Sequence, residues 1–444
     1  MGSRDVRVSE AAVSRPPIWA RFSRDRHGAV AVAVAVLLPV LIGFAGIGIE
    51  VGLWFAVQRQ NQSAADAAAI SAALEYAAQI ENGVTTNPTA ASAAASTTAN
   101  YNLFSTTSPN TLTLYPCYGF TVGSSCNTST SNGALNAVQV ALSQPLNTAF
   151  ASFVTAIWGP SVNTVNVTTT AIASFPATGT ACYLALDPTA ANAFLVDNSG
   201  TLPNPNCWAA SNSSSASALN CNSNCAIAGP TTVAGGDFVS SDSHLNGSPN
   251  RTYASAIADP YAGVSAGSAG TCTSSITVMR GPIPPGHYCG GIQVNGRTVT
   301  MSSSGVYYID PPFSIQNGSL NATPPGGVTI IINGDYPVGI GANATLNINA
   351  QSTGPFAGIA IFGPRGSPST VTQEFADSSQ NNIQGAIYFP SQTIQFDPNS
   401  QLNSSLCTQI IGDKIHIENN ASMSNSCSGT GVSAISILEV YLAL

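Results

Sequence analysis

The chain has 444 residues, of which 44% are hydrophobic and only 7% charged, with a formal net charge of −8. Disordered chains combine low hydrophobicity with high charge, so this balance excludes wholesale disorder. Phosphate binding depends on clustered lysine and arginine, so the acidic bulk of the chain excludes nucleic acid as its partner.

Residues 1–27 form a basic tail that carries Arg4, Arg7, Arg15, Arg21, Arg24 and Arg26. Residues 29–49 then run for 21 positions without a charged side chain. As a helix such a run spans about 30 Å, the thickness of a bilayer's hydrocarbon core. Arg59 is the only basic residue for a long way beyond it. The positive-inside rule keeps Arg21, Arg24 and Arg26 in the cytoplasm and sends the rest of the chain across. A cleaved signal peptide is the competing reading, but its apolar core is usually only about 7–15 residues long. Pro39 is of the kind that membrane helices tolerate. Glu50, at the exit end, reads as a carboxylate reaching interfacial water.

Residues 28–82 are expected to form the transmembrane helix and a helical extension. The extension, 61–80, has much alanine and neither proline nor glycine, which favours helix. Its small residues, Ala64, Ala68 and Ala72 among them, suit close packing against helices of a partner. Asn82-Gly83 ends it, and 88–100 reads as a second, weaker helix. Residues 83–180 are expected to form a small α+β neck. Strands are predicted over 111–122, 134–142 and 161–174 from partial alternation, with a short helix over 148–157.

Residues 181–444 read as a β-rich domain. Its clearest strands are 290–301, 305–310, 327–333, 344–349, 357–362, 384–389, 393–396 and 407–417, separated by Asn, Gly, Ser and Pro. Loosely recurring strands of this kind predict a right-handed parallel β-helix, or solenoid, with a sandwich or jelly roll as the rival. Residues 211–217 and 363–369 read as exposed loops. The expected fold class is therefore α+β: one N-terminal transmembrane helix, an α+β neck, then the β-rich domain.

Ten cysteines follow the apolar run and none precedes it: Cys117, Cys126, Cys182, Cys207, Cys221, Cys225, Cys272, Cys289, Cys407 and Cys427. An even count on the translocated side reads as disulfides in an oxidising compartment. Proximity pairs them 117–126, 182–207, 221–225, 272–289 and 407–427, although proximity alone leaves other connectivities open. Cys221-x-x-x-Cys225 is the nearest approach to a zinc spacing, but no second pair or histidine stands beside it, and no metal site is expected.

Catalysis has little to work with. Residues 231–444 hold eleven acidic residues against Arg251, Arg280, Arg297, Arg365 and Lys414. Asp310 and Asp397 precede prolines and Asp335 follows Gly334, as turn-forming aspartates do. The densest ionisable cluster is Asp413-Lys414-Ile-His416-Ile-Glu418. In a strand, Lys414, His416 and Glu418 share one face, read here as a solvated face alternating with buried Ile415 and Ile417. His27, His244 and His287 are scattered, and no nucleophile elbow, Walker A loop or dinucleotide fingerprint is present. No enzyme activity and no cofactor are expected.

The stretch Arg21-Phe-Ser-Arg-Asp-Arg-His-Gly-Ala-Val-Ala-Val through Leu38-Pro39 resembles the N-terminal region of TadE/TadG-like proteins of the Flp (tight-adherence) pilus system. Its continuation, Ile47-Gly-Ile-Glu-Val-Gly-Leu-Trp-Phe-Ala-Val-Gln-Arg-Gln-Asn-Gln-Ser-Ala-Ala-Asp-Ala-Ala-Ala69, resembles the family's acidic-residue, glycine and "ADAAA" pattern. The likeness covers residues 21–82. The segment from Asn136-Ala-Val-Gln-Val to Ala173 resembles the family's periplasmic portion. Cys182-Tyr-Leu-Ala-Leu-Asp-Pro188, Gly286-His-Tyr-Cys-Gly-Gly291 and Gly385-Ala-Ile-Tyr-Phe-Pro390 resemble motifs of long TadG-like forms. One departure stands out: alignment on Gly28 and Pro39 puts Ala33 where pilin-like relatives carry a glutamate. That argues for a permanently anchored accessory protein rather than a processed pseudopilin. The resemblance implies a structural role in pilus assembly or adherence at the bacterial inner membrane, with a periplasmic C-terminal domain. The implied partners are other Tad/Flp pilus-assembly proteins; the apolar run adds the lipid bilayer, and the Ser/Thr/Asn-rich surface of the low-charge β body suits contacts with envelope glycans. The alternative is a membrane-tethered carbohydrate-active β-helix enzyme or carbohydrate-binding adhesin.

Overall fold

The computed structural model describes residues 26–443 apart from 82–84, 149–163, 204–206, 275–280, 367–369, 377, 398, 404–405, 419–421, 424–431 and 433–434. The helix expected over 148–157 lies almost wholly outside the described residues.

Helix α1, Arg26–Glu81, is continuous through Pro39. Its 56 residues span about 84 Å at the usual rise per residue. Helix α2, Pro88–Tyr101, starts on Asn87, whose side chain accepts from Thr89 N at 3.0 Å and Ala90 N at 3.4 Å. Proline at its first turn loses nothing, because that N–H has no helical partner anyway. Its buried residues, Ala91, Ala95 and Ala99, recur every four positions and form one face.

Three antiparallel strands pack on this helix pair. They are β1 (Thr111–Tyr118), β2 (Leu135–Asn147) and β3 (Thr164–Ser174), in the order β1-β2-β3. The far edge of β3 is taken by Tyr441–Ala443, so the chain returns to the neck after the β-rich region. Val138, Val140 and Leu142 alternate along β2 and bury one face of this sheet against the helices.

The β-rich region is built of parallel strands, apart from the antiparallel pairing of Ile435–Leu438 near its end, unlike the antiparallel sheets of a sandwich. Each short strand pairs with one about three strands further along. Ile292–Asn295 pairs with Phe313–Gln316, which pairs with Val338–Ile340, which pairs with Thr372–Phe375. The inward side chains therefore stack in columns. One runs Val294, Ile315, Ile340, Phe375, Phe396, Ile417, Val196, Cys221, every member buried. Each such aliphatic or aromatic side chain contributes roughly 1.5–3 kcal/mol on burial. Phe375 and Phe396 stack with ring centroids 4.7 Å apart.

That column is out of chain order. After Ile417 it passes back to Val196, because Ala177–Ala185 (β4) and Phe194–Val196 pair in parallel with Thr408–Ile417. The earliest strands of the region thus stack beyond its late strands. Residues 252–271 connect the stretch that ends at Asn250–Arg251 to Cys272–Ser274 at the other end of the pairing order. Ile257 and Tyr261 in this connection are buried against Ile331, Phe362 and Tyr388. Tyr308 fixes it further by donating to Ala266 O at 2.8 Å.

Asparagine has a structural use here. Asn347 Nδ2 donates to Asn321 Oδ1 at 2.6 Å, Asn382 to Asn347 at 2.7 Å and Asn403 to Asn382 at 2.9 Å. Identical amides in parallel register satisfy each other along the stack. Asn317 and Asn343 turn corners in the left-handed region, with φ of 47° and 54°. Residues 211–217 are not a fully exposed loop: Ser211 and Ser213 are buried, and Ser213 Oγ donates to Ala190 O at 2.6 Å. Neighbouring turns cover it on both sides, since Ser214 N donates to Pro188 O and Gly236 N to Ser215 O.

Candidate functional site

Ala64, Ala65, Ala68, Ala69, Ala72 and Ala73 of α1 are all fully buried. They pack on Ala91, Ala95 and Ala99 of α2, on Val138, Val140 and Leu142 of β2, and on Ala171 and Ala173 of β3. This corrects the expectation that Ala64, Ala68 and Ala72 meet helices of a partner. Methyl-sized side chains do permit close approach, but the chain's own neck uses it.

The other half of α1 is different. Val36, Leu41, Phe44 and Ile49 are exposed, Phe44 at 72%. Among the described residues α1 is the one helix long and apolar enough to cross a membrane, and its most apolar window is 6% buried. Gly48 and Gly52 lie four apart on it, and a Cβ at either would meet nothing within 4 Å. Arg26 is the first residue of the helix, while Arg21 and Arg24 lie outside the described residues. Glu50 does not reach out to water as expected: it is 7% exposed. It lines a pocket of 310 Å³ with Leu53, Trp54, Val57, Leu146 and Asn147, because the end of β2 lies against this turn of the helix.

The strand Thr408–Ile417 carries the ionisable cluster singled out in the sequence. Ile415 and Ile417 point inward and Lys414, His416 and Glu418 are half-buried on the other face. They are not simply solvated. Lys414 Nζ lies 3.8 Å from Asp187, and His416 Nε2 lies 3.2 Å from both Asp197 Oδ1 and Glu418 Oε1. Asp197, His416 and Glu418 each offer a donor atom, all within 4.8 Å of one another. Gln395, one strand away, donates to Asp397 at 2.8 Å and to Glu418 at 3.4 Å. Burial raises the Glu418 carboxyl above its ordinary pKa; His416 opposes this, and the charges of Asp197, Asp397 and Glu374 add to it.

Asp197 was not singled out from the sequence. A signal existed: Phe194-Leu-Val-Asp197, Ile394-Gln-Phe-Asp397 and Ile415-His-Ile-Glu418 share an apolar-x-apolar-acid pattern. His287 also has a carboxylate, Asp310, at 3.1 Å, and its Nδ1 is 3.1 Å from Gly270 O.

Four cysteine pairs face each other at disulfide distance: Cys117 and Cys126, Cys182 and Cys207, Cys221 and Cys225, Cys272 and Cys289. Their Cα separations are 5.0, 5.7, 5.5 and 5.7 Å, within the range a disulfide spans. Cys407 is disulfide-bonded, and Cys427 lies outside the described residues.

Residues 28–78 match the family described as putative Flp pilus-assembly TadE/G-like. The matched segment is α1 almost to its end, covering both the exposed apolar half and the buried alanine face. No curated protein and no solved structure matches the chain.

Proposed function

We propose that this chain is a membrane-anchored structural component of Flp pilus assembly, with its N-terminus in the cytoplasm and its body in the periplasm of a bacterial cell. The match over residues 28–78 supports involvement in that system and association with a membrane and other assembly proteins. One observation carries the reading: within the matched segment, apolar side chains such as Phe44 and Ile49 stay exposed while the alanine face is closed over by the neck. An apolar helix surface of this length finds its natural solvent in lipid.

Partner helices then have to meet α1 where it leaves the bilayer. Gly48 and Gly52 are the positions we assign to that contact, since glycines four apart let two helix backbones approach closely. In this reading the domains are the basic tail 1–27, the stem 28–82, the neck 83–180 and the body 181–444. The body is a β-solenoid, as three-step parallel pairing and stacked columns favour. It acts as a scaffold without catalysis. Ion pairs of Asp259 with Arg365, Asp187 with Lys414 and Glu439 with Arg251 tie separate segments of the body together, which suits a scaffold.

The test is recovery of other pilus-assembly proteins from solubilised membranes with Gly48→Leu/Gly52→Leu. Loss of co-purification, with the melting of the exported part unchanged, is the expected result. Unchanged recovery would remove the assigned contact. Incubating the protein with acidic polysaccharides checks the catalytic alternative, which new reducing ends would favour.

A further inference from the structure

Asp197 and His416 stand 219 residues apart in sequence and meet where the first strands of the body stack on its last. Three successive parallel positions end in an acid there. Asp397, Glu418 and Asp197 directly follow Phe396, Ile417 and Val196, which are in register. The backbone continues the alignment: Asp397 N donates to Phe375 O, Glu418 N to Phe396 O and Asp197 N to Ile417 O, each at 3.0 Å. Like charges on adjacent strands repel, and here they are half-buried, where screening by water is weaker. The one lysine of the chain, Lys414, is engaged with Asp187. A single ring nitrogen of His416 faces two carboxylate oxygens.

We propose that Asp197, His416 and Glu418 bind one divalent first-row transition-metal ion, which fastens the early strands of the body onto the late ones. The donor set is one imidazole nitrogen and two carboxylates, which suits zinc and its neighbours; calcium takes oxygen ligands. Two donors on a tetrahedral zinc, each about 2.0–2.1 Å from it, lie about 3.3 Å apart. The distances from His416 Nε2 to Asp197 and Glu418 are both 3.2 Å. The three side chains are 17–22% exposed, which leaves the fourth position to water. Gln395, bonded to both Asp397 and Glu418, orients the carboxylate from outside, as partners of metal ligands commonly do. The bridge links strands that the chain itself joins only through a long excursion.

The experiment uses the full chain in detergent, stripped with a chelator and titrated with zinc by calorimetry and metal analysis. One zinc per chain is expected, with a higher melting temperature in its presence. His416→Gln and Glu418→Gln should each weaken binding by at least about 100-fold, whereas His244→Gln should leave it unchanged. Equal binding by the double variant H416Q/E418Q, or no retained zinc, overturns the proposal. Should a variant fail to fold, zinc absorption spectroscopy on the unaltered protein decides: one imidazole with oxygen ligands supports the site, and sulfur ligands or several imidazoles overturn it. Tighter binding of calcium than of zinc also overturns it.

Discussion

The Tyr388 hydroxyl donates to Asp259 Oδ2 at 2.6 Å across 129 residues of sequence, joining the external connection to a central strand of the body. Arg365 completes the knot: Nη1 reaches Asp259 at 3.0 Å, Nη2 reaches Tyr261 O at 2.8 Å, and its guanidinium lies 5.4 Å from the Tyr388 ring centroid. Burial, reinforced by the Asp259 carboxylate, raises the Tyr388 phenol far above its ordinary pKa, so it remains a donor throughout the accessible pH range. Asp259→Ala should cost about 1.5–3 kcal/mol, the usual worth of hydrogen bonds to a charged group, and Tyr388→Phe about 0.5–1.5 kcal/mol. Limited proteolysis should show cleavage within 252–271 first in the Asp259 variant. Identical digestion patterns would show that the knot does not hold the connection.

Ala68→Leu tests the neck. The added side chain has no room between α1 and α2, and overpacking of this kind costs typically about 1–3 kcal/mol. Leu74→Ala, at a position 47% exposed on the same helix, should shift stability by no more than about 0.5 kcal/mol. The readout is thermal unfolding in detergent; a wild-type melt for Ala68→Leu would mean that the face is open.

Asn347→Ala interrupts the amide ladder at its centre and strands the partners at Asn321 and Asn382. A loss of about 1–3 kcal/mol is expected from two broken hydrogen bonds at a half-buried site. Hydrogen exchange should rise in the strands Ser319–Ala322 and Thr345–Asn349 ahead of the neck. Uniform exchange across the chain would argue against a local role.

Asp413 has a raised pKa because burial disfavours its charged form and Asp187 adds repulsion, with Lys414 opposing both. A carboxyl whose folded pKa exceeds its unfolded value favours the fold below the unfolded value, and that contribution is lost as pH rises through the folded one. Asp413→Asn should therefore melt higher than wild type at neutral pH, with the gap closing on acidification through the carboxylate range. A constant gap from pH 3 to pH 7 would remove titration as the cause.

The helical stem and many of the strands were legible in the sequence because their signals are local. A charge-free run after six arginines needs no knowledge of the fold, and the Val138, Val140, Leu142 alternation reads directly as one buried strand face. Order in the stack was not legible, since nothing around Val196 says that Ile417 lies beside it. Ala64, Ala68 and Ala72 were read correctly as a packing face, but a face does not name its occupant, and α2 with its own alanines filled it. Glu50 was misplaced for a related reason: the end of β2, almost a hundred residues later, covers it. Asp197 resembled any turn aspartate until its strand was set against His416.

The return of Tyr441–Ala443 to β3 and of Ile435–Leu438 to β4 means that body and neck are joined by two crossings of the chain. A pull on the body is divided between the link at Pro176 and the link at Glu439, and each is backed by antiparallel hydrogen bonds. Load on the body would reach the stem through a doubled hinge, and a nick in one crossing would leave the other to carry it.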